Sequence, residues 1–197
     1  MNKSNKLLIS ALLVGVLGSL VALGVFGLFS ATTQNAGNEI SSGTVLISDN
    51  DAGSAQFNVT NAKPGESWER CIKVTYNGSL PADVHLYMTG GGGALEPYLH
   101  LTLSQGTQAS PTFPSCAGFT PDNTNGTGVL YDGAAAGLLG SDYETGLTVV
   151  PFGQESWASG SALVFKERLA LSAEAPDTAQ GATTGVFTLF AEARNHA

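Results

Sequence analysis

Short segments in which apolar and polar residues alternate constrain the fold of this chain more than any other feature. Such segments cover residues 55–60, 67–76, 82–89, 99–104, 161–172 and 186–193, and residues 44–48 have the length and β-branching of a short strand. A period of two places one face of each segment inward, as in a half-buried β-strand. Turn-forming residues separate the segments. About eight short strands with turn-rich links predict an all-β protein built as a two-sheet sandwich.

The alternation also predicts which side chains form the core. The expected inward-facing residues are Phe57, Val59, Ile72, Val74, Tyr76, Val84, Leu86, Met88, Phe165, Leu169, Leu171, Phe187, Leu189 and Ala191. Glu167 interrupts the apolar face of the 161–172 strand. Asn77-Gly78 predicts a hairpin turn, since this dipeptide readily adopts the required left-handed backbone. The small apolar stretch 133–140 predicts a short helix.

The N-terminus has the pattern of an export signal. Lys3 and Lys6 precede an uncharged apolar run over residues 7–29, which ends in small and polar residues. This order is typical of a secretory signal peptide. Cleavage between Gly27 and Leu28 would define a signal peptide over 1–27. A membrane anchor is the alternative, because about 20 apolar residues suffice to cross a bilayer as one helix.

Three stretches resemble the TasA and camelysin family of exported proteins. The first is Gly24-Val25-Phe26-Gly27-Leu28-Phe29-Ser30-Ala31-Thr32, followed by Asn38 and Gly43-Thr44-Val45-Leu46-Ile47. The second comprises residues 61–67 and 74–83, with Pro64-Gly65-Glu66-Ser67 and Asn77-Gly78-Ser79. The third covers 163–171, 177–181 and 186–193. Ala31 and Ser42 stand where the family usually has Asp and Ala.

The resemblance implies a jelly-roll sandwich whose signal is removed by a dedicated signal peptidase of the SipW type. It also implies a structural subunit of extracellular fibres in a biofilm matrix. We expect residues 28–48 to act as a donor strand for an open sheet edge of the next copy, and residues 49–197 to form the sandwich domain. The expected donor contacts are Leu28, Phe29, Ile40, Val45 and Ile47. Such head-to-tail contacts propagate a homopolymer.

Composition limits the range of partners. The formal net charge is −8, and loss of Lys3 and Lys6 with the signal would lower it by two, to −10. An acidic chain of this kind is not expected to bind nucleic acid, and its contact with a membrane should be restricted to the signal segment.

The two cysteines, Cys71 and Cys116, predict one disulfide in an exported protein. A loop of that span would contribute about 4 kcal/mol in the chain-entropy model. The other interpretation is two separate buried thiols. A C-x-x-C redox motif is absent from the sequence. The export signal and the family resemblance make secretion to the extracellular space or cell surface the expected localisation.

No residue pattern predicts catalysis, a metal site or a cofactor. His85, His100 and His196 are far apart in sequence, and none lies in an H-E-x-x-H motif. His85 and His100 could still meet if their strands were adjacent, but rim positions are expected. We therefore expect no enzymatic activity, although camelysin-like proteins have been labelled metalloproteases, and zinc analysis would test that third hypothesis.

Two further motifs have both a structural and a functional interpretation. Asp49-Asn50-Asp51-Ala52-Gly53 resembles the start of a calcium loop, but the distal Glu is missing, and an Asx-rich turn is the preferred interpretation. Asn58, Asn77 and Asn125 fit the glycosylation sequon, which an Asn- and Thr-rich chain also produces by chance.

A different functional class remains open beside the fibre subunit. In it, an uncleaved 7–29 helix anchors a monomeric surface-binding module that displays residues 90–160 to a ligand.

Overall fold

A computed structural model describes residues 43–124 and 126–196 of the chain. Their regular structure consists of strands and three single-turn 3-10 helices. The strands are β1 (Ile47–Asp49), β2 (Ser67–Tyr76), β3 (Ala82–Gly90), β4 (Leu99–Gln108), β5 (Phe119–Pro121), β6 (Val129–Ala134), β7 (Leu147–Val149), β8 (Ala162–Leu171) and β9 (Phe187–Asn195). The 3-10 helices are Glu96–Tyr98, Ala135–Gly137 and Asp177–Ala179. The predicted all-β class is confirmed.

The larger sheet, sheet A, has the strand order β1-β2-β8-β4-β5, and β6 also pairs with β4. All of its pairings are antiparallel. Its centre is β8, which pairs with β2 on one side and β4 on the other. In this register Glu167 lies between Arg70 of β2 and Leu103 of β4.

The smaller sheet, sheet B, has the antiparallel order β7-β3-β9. Its central strand β3 aligns Leu86 with Leu147 of β7 and with Ala191 of β9. Sheet B is therefore only three strands wide in the described part of the chain, against six strands in sheet A.

The core lies between the sheets and consists of two groups of buried side chains. The first contains Ile72, Val74, Tyr76, Ala82, Val84, Leu86, Leu103, Val149, Trp157, Leu163 and Phe165. The second contains Met88, Leu99, Leu101, Ala135, Leu138, Leu169 and Leu171. Both groups draw on both sheets, so burial of apolar area stabilises the pairing of the layers. Trp157 is fully buried, and its indole N–H donates to the Val149 carbonyl at 2.7 Å.

The longest alternating segments form the predicted strands. β2 has the predicted bounds, β3 and β8 differ by one residue at their ends, and β4 extends four residues further. The inward-facing side chains of β2, β3 and β8 are buried as expected. These segments are long enough for one register to bury a whole apolar face, which specifies the pairing strongly.

The strand predicted over residues 55–60 is wrong. No backbone-to-backbone hydrogen bond involves residues 55–62 among the described residues. The chain turns at both ends of this stretch, where Ala52 and Asn61 adopt positive φ values of 53° and 58°. Val59, predicted to face inward, is 36% exposed, whereas Phe57 packs against the second core group. One partly buried aromatic side chain accounts for the apparent alternation without a neighbouring strand.

The hairpin predicted at Asn77-Gly78 is also wrong. β2 belongs to sheet A and β3 to sheet B, so the link crosses from one layer to the other. The Tyr76 hydroxyl donates to the Leu80 carbonyl, and the Ser79 amide donates to the Thr44 carbonyl. These bonds hold the link as a crossover. The helix predicted within 133–140 is reduced to the 3-10 turn Ala135–Gly137 that follows β6.

The predicted signal peptide, its cleavage site at Gly27 and Leu28, and the sequon at Asn125 lie outside the described residues. Within the described ranges, the structure contains no helix of the length and apolarity needed to span a bilayer.

Candidate functional site

The candidate site is the free edge of sheet B. Among the described strands, the sheet edges are β1 and β5 with three residues each, β6 with six, β7 with three and β9 with nine. Proteins commonly keep edge strands short because unpaired N–H and C=O groups attract further strands. β9 pairs with β3 alone among the described residues. It therefore offers the longest open edge in that part of the chain.

A cleft of about 600 Å³ runs beside β9, and we call it the β9 cleft. Its apolar lining includes Leu189 and Ala191 of β9 together with Leu86 of β3. Phe165 of β8 and Ile72 of β2 contribute from sheet A. The cleft thus borders core side chains of both sheets along the open edge, where an added strand could pack.

A second pocket of about 540 Å³ lies at one end of the sandwich, and we call it the Trp68 pocket. Its apolar lining includes Trp68, Leu95, Leu99, Leu171 and Ala179. Phe57, Asn58, Thr184 and Phe187 line both the pocket and the β9 cleft. Together the two hollows offer an apolar path that begins along β9 and continues past its first residue.

Residues 51–62 border both hollows, and we call them the cover segment. Few bonds connect this segment to the sheets. The Arg70 guanidinium donates through Nε to the Gln56 carbonyl at 3.1 Å, and it lies over the Phe57 ring at 5.8 Å. Phe57 also packs beside the second core group. The cover segment is thus attached by the Phe57 and Ala62 side chains, by the Gln56 side chain beside Glu167 and by one charged hydrogen bond from Arg70.

Glu167 is a carboxyl buried in the sandwich interior. The residue is 3% exposed, and its Oε1 has no hydrogen-bond partner among the described residues. Burial raises the pKa of the Glu167 carboxyl to about 7, and the nearby Gln56 side chain offsets part of the rise. A buried acid of this kind exchanges its proton near neutral pH.

The groups nearest Glu167 do not neutralise its charge. Arg70 is its direct cross-strand neighbour on β2, yet no ion pair joins them within the described residues. The guanidinium instead donates to backbone carbonyls of Gln56 and Glu69. Gln56 Nε2 is itself buried and without a partner in the described part of the chain. A buried acceptor and a buried donor are thus both left unsatisfied.

The predicted donor residues fall partly within the described range. Ile47 lies in β1, opposite Tyr76 of β2, and packs against the first core group. Val45 is 38% exposed. The Asn77 amide donates to the Leu46 carbonyl at 2.7 Å, which extends the attachment toward the N-terminus. The C-terminal end of the predicted donor segment therefore docks on its own subunit, while Leu28, Phe29 and Ile40 lie outside the described residues.

The predicted disulfide is confirmed. Cys71 of β2 is bonded to Cys116 in the loop between β4 and β5, with their Cα atoms 5.1 Å apart. The Cys71 amide also donates to the Pro114 carbonyl at 3.1 Å. The bond ties the long 109–118 loop to the outer face of sheet A.

The structure does not bring the histidines together. His85 lies on sheet B, stacked on Tyr143 with ring centroids 4.2 Å apart, whereas His100 lies on sheet A, 3.7 Å from Asp132. His196 pairs with Asp83 at 2.7 Å. Among the described residues, no group of three or more His, Cys, Asp or Glu side chains is arranged to hold a metal.

Asp49 and Asp51 accept hydrogen bonds from local backbone amides. The Asp51 amide donates to Asp49 Oδ1 at 3.2 Å, and the Gly53 amide donates to Asp51 Oδ1 at 2.6 Å. This is the geometry of an Asx turn. Burial beside the β9 cleft raises the pKa of the Asp49 carboxyl.

Sequence patterns alone did not locate the β9 cleft or the cover segment. Both depend on how the two sheets are offset, which alternation within single strands does not specify. The one sequence feature that pointed to this region is Glu167, which interrupts the apolar face of β8. Comparison of the chain with protein-family models and with curated proteins gives no match.

Proposed function

We propose that this protein is an exported structural subunit that assembles into extracellular fibres by strand addition between copies. The acceptor in this proposal is the β9 edge, and the donor is the segment that begins at Leu28 and contains Phe29 and Ile40. A strand added to β9 gains main-chain hydrogen bonds, and its apolar side chains cover the floor of the β9 cleft. Because donor and acceptor are different surfaces, the contact is head-to-tail and does not close.

One observation carries the proposal: the longest described edge strand borders a cleft lined by core side chains. A nine-residue edge without such a cleft could be a solvated margin of the sheet. A cleft without an edge could be a ligand pocket. The combination favours an extended polypeptide as the occupant, since only a strand satisfies the backbone groups and the apolar floor together.

The placement of β1 suits the donor role of the residues before it. Ile47 is bound to its own β2, so the chain before Gly43 would begin from a fixed point at the margin of sheet A. In the proposal, Leu28, Phe29 and Ile40 insert into the next copy, whereas Val45 and Ile47 attach the arm to the subunit that donates it. The apolar leader 1–27 blocks insertion until a dedicated signal peptidase removes it.

We also propose a jelly-roll arrangement for the sandwich. In sheet A the order β2-β8-β4-β6 is that of the first sheet of a jelly roll, and β3 beside β7 matches part of the second. The second sheet would then lack two strands of the full pattern. β9 would be an addition on the far side of β3. A narrow second sheet is consistent with a fold that gains a strand from a partner.

Export is supported by the disulfide between Cys71 and Cys116, because such bonds persist in oxidising compartments. We place the protein outside the cell or at its surface, with a structural and not a catalytic role.

Deletion of residues 28–39 tests the proposal. Chains beginning at Leu28 should form filaments visible by negative-stain electron microscopy. The deletion variant should give a folded monomer, judged by circular dichroism and size-exclusion chromatography. Filaments that persist in the variant would rule out the donor role of this segment.

A matched pair of substitutions controls for nonspecific effects of the deletion. Phe29→Leu keeps an apolar side chain and should retain filaments, whereas Phe29→Asp would bury a charge in the acceptor and should abolish them. N-terminal sequencing of exported material separates this proposal from the anchored binding module, which predicts an intact leader.

A further inference from the structure

We infer that Glu167 is a proton-controlled latch for the cover segment: the segment stays over the core while the carboxyl is neutral, and it is released when the carboxyl ionises. The release of residues 51–62 does not depend on the proposed function. Its consequence, a wider β9 cleft for an incoming strand, rests on the proposed function.

Glu167 occupies a position in the core where an ionised carboxyl is costly. The carboxyl lies on the inward face of β8, between the two core groups, and Oε1 has no partner among the described residues. A neutral carboxyl can occupy such a place at modest cost, but an ionised one needs water or a counter-charge. In the closed arrangement Glu167 is only 3% exposed, and it forms no ion pair among the described residues.

Arg70 is the group whose movement releases the cover segment. It is the cross-strand neighbour of Glu167, but its Nε is used to hold the Gln56 carbonyl and its plane covers Phe57. Ionisation of Glu167 would attract the guanidinium, because an opposite charge at close range is the strongest available compensation. Turning Arg70 toward Glu167 removes the one hydrogen bond that ties the cover segment to β2.

The other groups around Glu167 are apolar or face away from it. From β4 the paired residue is Leu103, and the core-facing residues of sheet B in the described part are uncharged. The charged neighbours on β8, Lys166 and Arg168, face outward, and Lys166 pairs with Glu69 at 2.9 Å. Asp49 and Asp51 line the β9 cleft at the far end of the cover segment. Arg70 is therefore the counter-charge in reach.

The direction of the response follows from linkage. The closed form holds the Glu167 proton more tightly than an open, solvated form whose pKa is near the ordinary 4.5. The opening equilibrium of the cover segment should therefore rise between pH 4.5 and pH 7 and stay level above pH 7. Between pH 5 and pH 7 the expected increase is roughly thirtyfold.

Native-state proteolysis of the full-length chain with thermolysin tests the latch. The protease cleaves before apolar residues, and Phe57 and Val59 provide sites in the cover segment. When opening is fast, the cleavage rate follows the open population. The ratio of cleavage in the parent chain to cleavage in Glu167→Gln at the same pH cancels the pH dependence of the protease. This ratio should rise roughly thirtyfold from pH 5 to pH 7.

Two further variants make the test decisive. Glu69→Gln removes an exposed carboxyl next to Arg70 and should behave as the parent does. Gln56→Leu removes the group that eases ionisation, so the rise should begin at the same pH but continue further above pH 7, which provides a second test if Glu167→Gln folds poorly. A flat ratio, or equal acceleration at sites in the core strands, would overturn the latch. A rise in the ratio without filaments would keep the latch and refute the fibre proposal.

Discussion

At the scale of single residues, Glu167 links the energetics of the core to the surface. Every other residue buried to a similar degree in the described part of the chain is apolar, aromatic or a disulfide cysteine. A carboxyl at this position costs stability whenever it is ionised. The latch gives this carboxyl a role, because the destabilisation that follows its ionisation weakens the attachment of the cover segment.

Stability against pH gives a direct check on this residue. Because the folded-state pKa of Glu167 is raised from 4.5 to about 7, its contribution is complete below pH 4.5 and is lost as pH rises to about 7. The free energy of unfolding of the parent chain, relative to Glu167→Gln, should fall by up to about 3 kcal/mol across this window. Opening of the cover segment would reduce the loss.

Urea denaturation of both proteins at closely spaced pH values measures the difference. Carboxyls whose pKa is lowered, such as Glu192 beside Arg194, are common to both proteins and cancel in the comparison. A difference that does not change with pH would show that Glu167 is ionised, or solvated, throughout.

At the scale of elements, the strands divide into those that alternation defines and those that tertiary packing defines. β2, β3, β4 and β8 were predictable because each places at least three apolar side chains on one face. The 55–60 stretch has the same local pattern, yet Phe57 is the only one of its apolar side chains that packs against the core. The difference lies in the availability of a neighbouring strand, which no local pattern contains.

The crossover after β2 shows that tertiary packing also overrides local turn signals. Asn77-Gly78 favours a tight hairpin, but Tyr76 and Ser79 make bonds that direct the chain to the other sheet. The family resemblance predicts Val45 and Ile47 as donor contacts to the next copy. In the structure, Ile47 instead pairs with β2 of the same chain. Which strand a segment pairs with, and whether it lies at a sheet edge, is decided only when the sheets assemble.

A substitution on β9 tests the element proposed as the acceptor. Ala191 faces the β9 cleft, so Ala191→Phe should fill part of the space required by an incoming strand and abolish filaments. Phe190 lies on the opposite face of the same strand, stacked on Tyr87 at 5.0 Å, so Phe190→Ala should retain filaments at some cost in stability. Electron microscopy reads out assembly, and size-exclusion chromatography confirms a monomeric state. Filaments in Ala191→Phe would move the acceptor elsewhere.

At the scale of the whole molecule, the sandwich is asymmetric. Sheet A is wide and is reinforced on its outer face by the disulfide, whereas sheet B is three strands wide and leaves β9 open in the described part. Sheets that end in a long uncovered strand recruit further strands. The proposal assigns that property to assembly: the wide sheet provides the stable body and the narrow sheet provides the joint.

Hydrogen exchange along β9, compared between assembled filaments and the 28–39 deletion variant, tests the central claim most directly. In the monomer, amides of β9 that point away from β3 should exchange quickly. In filaments, strand addition should slow them strongly, while amides of the short edges β1, β5 and β7 remain unchanged. Equal exchange along β9 in both states, or new protection confined to another edge, would contradict strand addition at this site.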